Sequence, residues 1–474
     1  MKLQFLGADR QVTGSCYHLQ ASGLRLIVDC GLFQEREYLG RNWEPFVFDP
    51  GALDFVLLTH AHLDHSGLLP KLVREGFQGR ILATAVTKEL LPIVLQDSGH
   101  LQEEDAAFKK KRHAREGRRG PYPEIPLYTV EDALAVSSFV QDVPYLQRLE
   151  LDSRLSLTFH DAGHILGSAM AELRFKEAGG ERRLIFSGDV GQWDRPIVRN
   201  PSVFDQADYV VLESTYGDSR HQDPKHVEDI LCDIIGQAVR EGGNVVVPTF
   251  ALERAQEILF YLSRLTAAQC LPRVSTFLDS PMAAQVTEVF EKNIDFMDRQ
   301  TQALFRSGYH PFRFPGLHLV QSIEESKAIN SIKGSCIILA GSGMCTGGRI
   351  KHHLTRNISR PESIILFVGY QARGTLGRQI IEGQPKVRIH GQYYPVRAKI
   401  VQIQGLSAHA DQQDLLRWLR YLRAEPREIF LTHGDQDKAE ALAGLVANEL
   451  GWRTRIPGYK EEVELNGIKG GQNA

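Results

Sequence analysis

The chain has 474 residues, 42% of them hydrophobic and 24% charged, with a formal net charge of −3 at pH 7. That length exceeds one ordinary core and predicts two domains, while the near-neutral balance excludes a polyanion-attracting field spread over the whole molecule. Six scattered cysteines without a C-x-x-C pair predict reduced thiols, and no run approaches the roughly 18–20 apolar residues of a membrane helix. The opening MKLQFLGADRQ turns polar too early for a signal peptide, so a soluble, cytoplasmic chain without membrane contact is expected.

In chain order, short strands are predicted at Leu3–Leu6, Ser15–Gln20, Leu24–Asp29 and Phe55–Leu58, the last running directly into histidines. Leu68, Leu69, Leu72 and Val73 give Asp64–Glu75 helical spacing. Lys109–Arg119 (KKKRHAREGRR) is densely basic and reads either as a solvated helix end or as a phosphate-backbone contact. More strands are expected at Arg80–Ala83, Leu155–Phe159, Ala169–Phe175, Arg183–Phe186 and Tyr209–Leu212. Metal-type residues follow several of these strand ends. From about residue 215, strands such as Asn244–Val247, Arg273–Leu278, Ser335–Leu339 and Ser363–Phe367 alternate with helical stretches, predicting a parallel sheet flanked by helices. Strand-rich character returns with Val396–Ile403, followed by a helix at Asp411–Leu422, a strand at Glu428–Leu431, a helix near Ala439–Leu450 and a frayed tail, GIKGGQNA.

Thr59-His60-Ala61-His62-Leu63-Asp64-His65 is the strongest local signal. So many ionisable groups packed after an apolar strand are costly to bury without a cation to neutralise them. By alternation His60 and His62 point one way while Asp64 and His65 turn toward a neighbouring position, which suits two adjacent metal ions. Imidazole and carboxylate without thiolate suit zinc, with manganese or iron able to substitute.

This H-x-H-x-D-H run resembles the signature of the metallo-β-lactamase superfamily, whose fold is an αββα sandwich. AGHILGSA supplies His164 and IFSGD supplies Asp189 in the same order. The resemblance implies two Zn2+ per chain: His60, His62 and His164 on the first, Asp64, His65 and His433 on the second, and Asp189 bridging. LESTYG at Leu212–Gly217 then resembles the acidic motif that opens the inserted β-CASP domain of nucleic-acid nucleases. PTFALERAQE, DSPMA, ESKAIN and SGMCTGGR are similar to later segments of that domain, LSAHAD (Leu406–Asp411) to its second motif and LTHGD (Leu431–Asp435) to its third. Residues 1–210 and 385–474 are expected to form the metallo-β-lactamase domain, and 211–384 the β-CASP insert.

A metal pair lowers the pKa of a shared water toward neutrality, and the resulting hydroxide is the expected nucleophile, oriented by Asp64 and Asp189. His409 is expected to donate a proton to the departing oxygen or to hydrogen-bond a phosphate oxygen, held cationic by Glu213. Each has a bland rival: a structural loop histidine for His409, a helix cap or salt bridge for Glu213, a turn histidine for His433. Substrate contacts are expected from Ser214, Tyr216, Ser342, Gly343, Arg349, Arg373 and Arg378. Histidine at the third motif resembles the RNA-acting branch, which includes the pre-mRNA 3′-end endonucleases, whereas the DNA-repair branch tends to carry valine. Single-stranded RNA is therefore the expected partner, cut internally or from the 5′ end, with DNA as the rival polymer and a second copy of the chain as a candidate partner. A lactonase- or thioesterase-like metallohydrolase would not need the insert, and a non-catalytic subunit would not keep a complete ligand set.

Overall fold

The computed structural model describes residues 1–117, 120–177, 180–221, 227–369, 371, 374–403 and 405–465. The expected tail at residues 467–474 lies outside them, as do Arg118, Arg119 and Arg373. Among the described residues no helix is long and apolar enough to cross a membrane, and all six cysteines are free thiols.

The chain divides into two compact units, Met1–Arg220 with His409–Ala474, and His221–Ala408. The first unit holds two mixed sheets. One runs Glu462–Glu464, Lys2–Phe5, Tyr17–Ala21, Leu24–Val28, Phe55–Leu57, Arg80–Ala83 and Val140–Asp142. The other runs Glu428–Thr432, Tyr209–Glu213, Gly180–Phe186, Ala169–Glu177, Leu155–Asp161 and Leu149–Glu150. Side-chain alternation sorts each strand between two layers. Leu26 and Val28 join Leu157, Phe159, Leu173, Phe186 and Phe430 in the core between the sheets. Ile27, Val56 and Ile81 point the other way, onto Leu69, Leu72, Leu91 and Leu95 of the outer helices. On the far side Ile185, Val210 and Leu431 pack against Leu415, Trp418 and Leu442. Helix, sheet, sheet and helix therefore stack in four layers.

The second unit holds a six-stranded sheet in which every pair is parallel, ordered Leu317–Leu319, Ser275–Asp279, Cys336–Ala340, Val245–Pro248, Ile364–Phe367, Lys399–Gln402, and a separate antiparallel pair, Lys386–Ile389 with Gln392–Pro395. Helices Val227–Glu241, Arg254–Ala267, Pro281–Lys292 and Ile350–Asn357 alternate with its strands.

Several expectations need correction. Glu213 closes a strand paired with Glu428–Thr432, so a boundary at 210/211 would cut a strand of the first unit. Lys399–Gln402 pairs with Ile364–Phe367, so residues 385–408 belong to the second unit rather than to the returning first domain. The helix expected over Asp64–Glu75 is two helices, Leu63–Ser66 and Leu69–Arg74. The basic run from Lys109 ends a 32-residue helix, Ala85–Glu116, most of which sequence reading did not anticipate.

Candidate active site

The parallel register of the first unit brings its strand ends level. Val28 pairs with Leu57, Phe186 with Val211 and Glu213 with Thr432. The loops that follow, carrying Asp29, His60–His65, Asp189 and His433, therefore leave at matching heights. His164 comes from the turn after Leu155–Asp161, where the Ser168 hydroxyl accepts from His164 N (3.1 Å) and Ile165 N (3.2 Å).

Two knots of ligand atoms result. His60 Nε2 lies 3.1 Å from His62 Nδ1, and His164 Nε2 lies 3.3 Å from the same atom. His65 Nε2 lies 3.1 Å from His433 Nε2, which is 3.6 Å from Asp64 Oδ2. Asp189 faces both knots: its Oδ2 is 3.4 Å from His60 and 3.4 Å from His164, and its Oδ1 is 3.2 Å from His65. The outer ring nitrogens are held in place. Thr59 Oγ1 is 3.1 Å from His60 Nδ1, Asp29 Oδ2 is 2.7 Å from His65 Nδ1, and Thr215 Oγ1 is 3.0 Å from His433 Nδ1. With those atoms engaged, the opposite nitrogens face inward, the arrangement a cation requires; without a cation, burial lowers the His65 pKa but the Asp189 and Asp29 carboxylates overcome it and hold the group well above its usual range. Burial pushes His60 down to about 3 and His62 down to about 4, so both imidazoles are neutral and available as ligands. Burial opposes ionisation of Asp64 and Asp189, but the surrounding imidazoles outweigh it and hold both carboxylates below their usual range. The donor set fits a metal site.

A third grouping of Asp189, Glu213, His409 and His433 also meets metal-ligand spacing. Hydrogen bonding gives it a different character. Glu213 Oε1 accepts from Val190 N (2.6 Å), Oε2 accepts from the Thr215 hydroxyl (2.5 Å), and His409 Nδ1 lies 3.0 Å from Oε2. A carboxylate so occupied is an anchor for His409. Burial lowers the His409 pKa, but Glu213, Asp189 and Asp64 together overcome it and raise the group to about 9. The ring therefore carries a proton at neutral pH.

The seven expected ligands, the expected proton donor His409 and its partner Glu213 thus come together in this unit. Tyr216 stands nearby, its ring centroid 6.2 Å from that of His409. Ser214 does not fit its expected role: it is fully buried and its hydroxyl donates to the Thr432 carbonyl at 2.8 Å. In the second unit, Arg349 is engaged internally, bonded to Asp279 Oδ1 (2.7 Å) and the Gln321 carbonyl (2.9 Å), so its fork braces the loop instead of facing substrate. Arg378 pairs with Glu382 at 2.7 Å.

Asp29 was missed. It is 1% exposed, its φ is 60°, and it accepts from Thr59 N (2.8 Å) and Thr59 Oγ1 (2.9 Å) besides His65. An acidic residue closing an apolar strand was the available signal. Gly31 matters for the same segment, because a Cβ there would fall 1.7 Å from the Asp64 carbonyl oxygen.

Comparison with known proteins bears on the whole assembly. Residues 9–208 match the metallo-beta-lactamase superfamily, 255–380 the Beta-Casp domain, and 393–457 the Zn-dependent metallo-hydrolase RNA specificity domain. Ribonuclease TTHA0252 of Thermus thermophilus is 42% identical over 448 residues, covering 94% of this chain and 96% of that protein. This chain is a β-CASP member of the metallo-β-lactamase superfamily. This β-CASP protein is also 30% identical to transcription termination factor FttA of Methanothermobacter thermautotrophicus over 98% of its own length and 72% of the relative's. A crystal structure of a protein of unknown function from Enterococcus faecalis shares the β-CASP protein's fold with a TM-score of 0.55 at 13% identity, covering 98% of this chain and 99% of that one.

Proposed function

We propose that this β-CASP protein is a two-zinc ribonuclease that hydrolyses phosphodiester bonds of single-stranded RNA, internally or from the 5′ end. One observation carries the reading: Asp189 presents its two oxygens to two separate sets of ligand atoms, beside a protonated His409 held by Glu213. The ribonuclease name of the Thermus relative and the RNA specificity description of residues 393–457 support RNA as the polymer.

His60, His62 and His164 would hold one zinc, and Asp64, His65 and His433 the other, with Asp189 between them. Bound there, the metal pair supplies Lewis-acid charge for phosphate oxygens and for an attacking water. The protein's own groups do the rest. Asp64 orients the water, and Asp29, Thr59 and Thr215 keep the ligand rings aimed inward. With Nδ1 engaged by Glu213, His409 carries at Nε2 the proton that the departing ribose oxygen needs. Tyr216 beside His409, together with Ser342 and Arg378, are the substrate contacts of this reading, whereas Gly343, expected among them, is buried under the Phe250 ring with its carbonyl taken by Gln371.

Zinc-loaded protein on matched end-labelled RNA and DNA single strands tests it. Faster cleavage of RNA, with ladder products for internal cuts or mononucleotides for processive ones, is the expected result. Preferential DNA cleavage would transfer the reading to the rival polymer, and lactone or thioester turnover without nuclease activity would remove it.

A further inference from the structure

Ligands of open parallel sheets bind beyond the carboxyl ends of the strands, where strand order reverses. In the second unit that place is the end of Val245–Pro248. The strands Ser275–Asp279, Leu317–Leu319 and Cys336–Ala340 lie to one side of it, and Ile364–Phe367 and Lys399–Gln402 to the other. The segments leaving there are 249–253, 341–348 and 368–369, and the first of them carries Phe250 with 41% of its surface exposed.

A single exposed apolar residue is ordinary, but the seat of this one is not. A Cβ on Gly343 would come within 2.7 Å of the Phe250 ring carbons, and one on Gly369 within 3.9 Å. The ring therefore rests on bare backbone that a larger residue at 343 would displace. That backbone is fixed as well. Phe250 O accepts from Ala255 N (3.2 Å) and from the Thr249 hydroxyl (3.2 Å), and Thr249 N donates to Ala340 O at 3.0 Å. Gln371 Nε2 donates to Gly343 O at 2.9 Å, bracing the seat. An apolar ring held this firmly loses little freedom when something flat lies on it.

We propose that Phe250 is a stacking platform for one nucleobase of a single-stranded RNA lying along this edge of the second unit. The inference rests on the ribonuclease reading above and adds a base-binding position to it. Stacking is indifferent to base identity, because every base offers a π-face, so Phe250 contributes affinity without sequence preference. It touches no reacting atom, so its effect falls on KM and leaves kcat unchanged.

The test walks a single abasic nucleotide along an RNA oligonucleotide and measures kcat and KM with zinc-loaded wild type, Phe250→Ala, Phe250→Leu and Phe250→Tyr. In wild type, one abasic position should raise KM about 10-fold while its neighbours do not. Phe250→Ala and Phe250→Leu should raise KM for intact RNA by about the same factor and become insensitive to that position. Phe250→Tyr, which keeps the ring, should behave as wild type. Leu retains apolar bulk on Gly343, so wild-type KM in Phe250→Leu would make the ring a packing element only and overturn the proposal. An abasic effect that persists undiminished in Phe250→Ala would overturn it too. If wild type cleaved no RNA at all, the ribonuclease reading itself would fail, a result distinct from these.

Discussion

Replacing Asp29 by Asn isolates how much of the metal site is built by a residue that cannot touch the metal. Asn tolerates the left-handed backbone at this position, and its Oδ1 can still accept from Thr59 N. The change is confined to the second oxygen, which becomes an NH2 group facing the Thr59 hydroxyl and His65 Nδ1, atoms that lie 2.9 Å and 2.7 Å from it in the native protein. Two donors then oppose each other across the shorter distance. Relief comes when His65 moves its proton from Nδ1 to Nε2, but Nε2 is the atom that faces Asp189 and His433. A ligand with its proton on the inner nitrogen cannot bind a cation until that proton leaves. The cost is one hydrogen bond to a charged group, about 1.5–3 kcal/mol, or roughly 10–100-fold in metal affinity, the scale seen when such outer partners are changed. Competition with a chromophoric chelator measures the zinc affinity, and nitrogen NMR of the imidazoles reports the tautomer. Affinity within twofold of wild type, or a proton still on Nδ1 in the variant, would refute the reasoning.

Three further outcomes are expected. Asp64→Ala should abolish turnover and His409→Ala should lower it by roughly 10²–10⁴-fold, read by single-turnover cleavage of labelled RNA; near-normal rates in either would count against the assigned roles. Gly31→Ala should lose bound metal, because its Cβ would sit 1.7 Å from the Asp64 carbonyl oxygen and push the ligand loop aside; full metal content by elemental analysis would show that the loop yields without consequence. In metal-stripped protein, His409 is raised to about 9 from its ordinary 6.5. A raised imidazole stabilises the fold fully below the unfolded value and loses that contribution as pH climbs through the folded one. The stability difference between wild type and His409→Ala should therefore shrink by about 3 kcal/mol between pH 6.5 and 9; urea melts that show a constant difference would exclude a charged His409.

What could be read from the chain in advance divides by how far a residue's role depends on pairing at a distance. His60, His62, Asp64 and His65 announce themselves because four ionisable groups share one turn. His164, Asp189, Glu213, His409 and His433 have no such local signal and were recognisable only through resemblance to a family. Asp29 had neither advantage. Its function exists because Val28 lies beside Leu57 in a parallel ladder, which sets its carboxylate against Thr59 and His65. The helix Ala85–Glu116 was hidden for a different reason. Pro92 lies inside it, a residue that ordinarily ends helices, and its second half carries charge with little apolar stripe. Ser214 and Arg349 looked like substrate contacts from their motifs, yet burial in one case and the Asp279 carboxylate in the other turn them inward.

The same contrast explains why the site takes this form. Packing several imidazoles and carboxylates into one buried place without a cation leaves nitrogens facing nitrogens at 3.1 Å, while burial, and then the neighbouring His65, suppress protonation of His60. Those contacts persist because the outer partners are committed elsewhere: Asp29 and Thr59 through the strand register, Thr215 through Glu213, and Glu213 through Val190. The scaffold therefore holds the ligand atoms at a spacing that is unfavourable alone and favourable once positive charge lies between them. It follows that weakening an outer partner should stabilise the metal-free fold less than it harms metal binding, which is why metal affinity, and not melting temperature, is the measurement that discriminates between these residues and ordinary core.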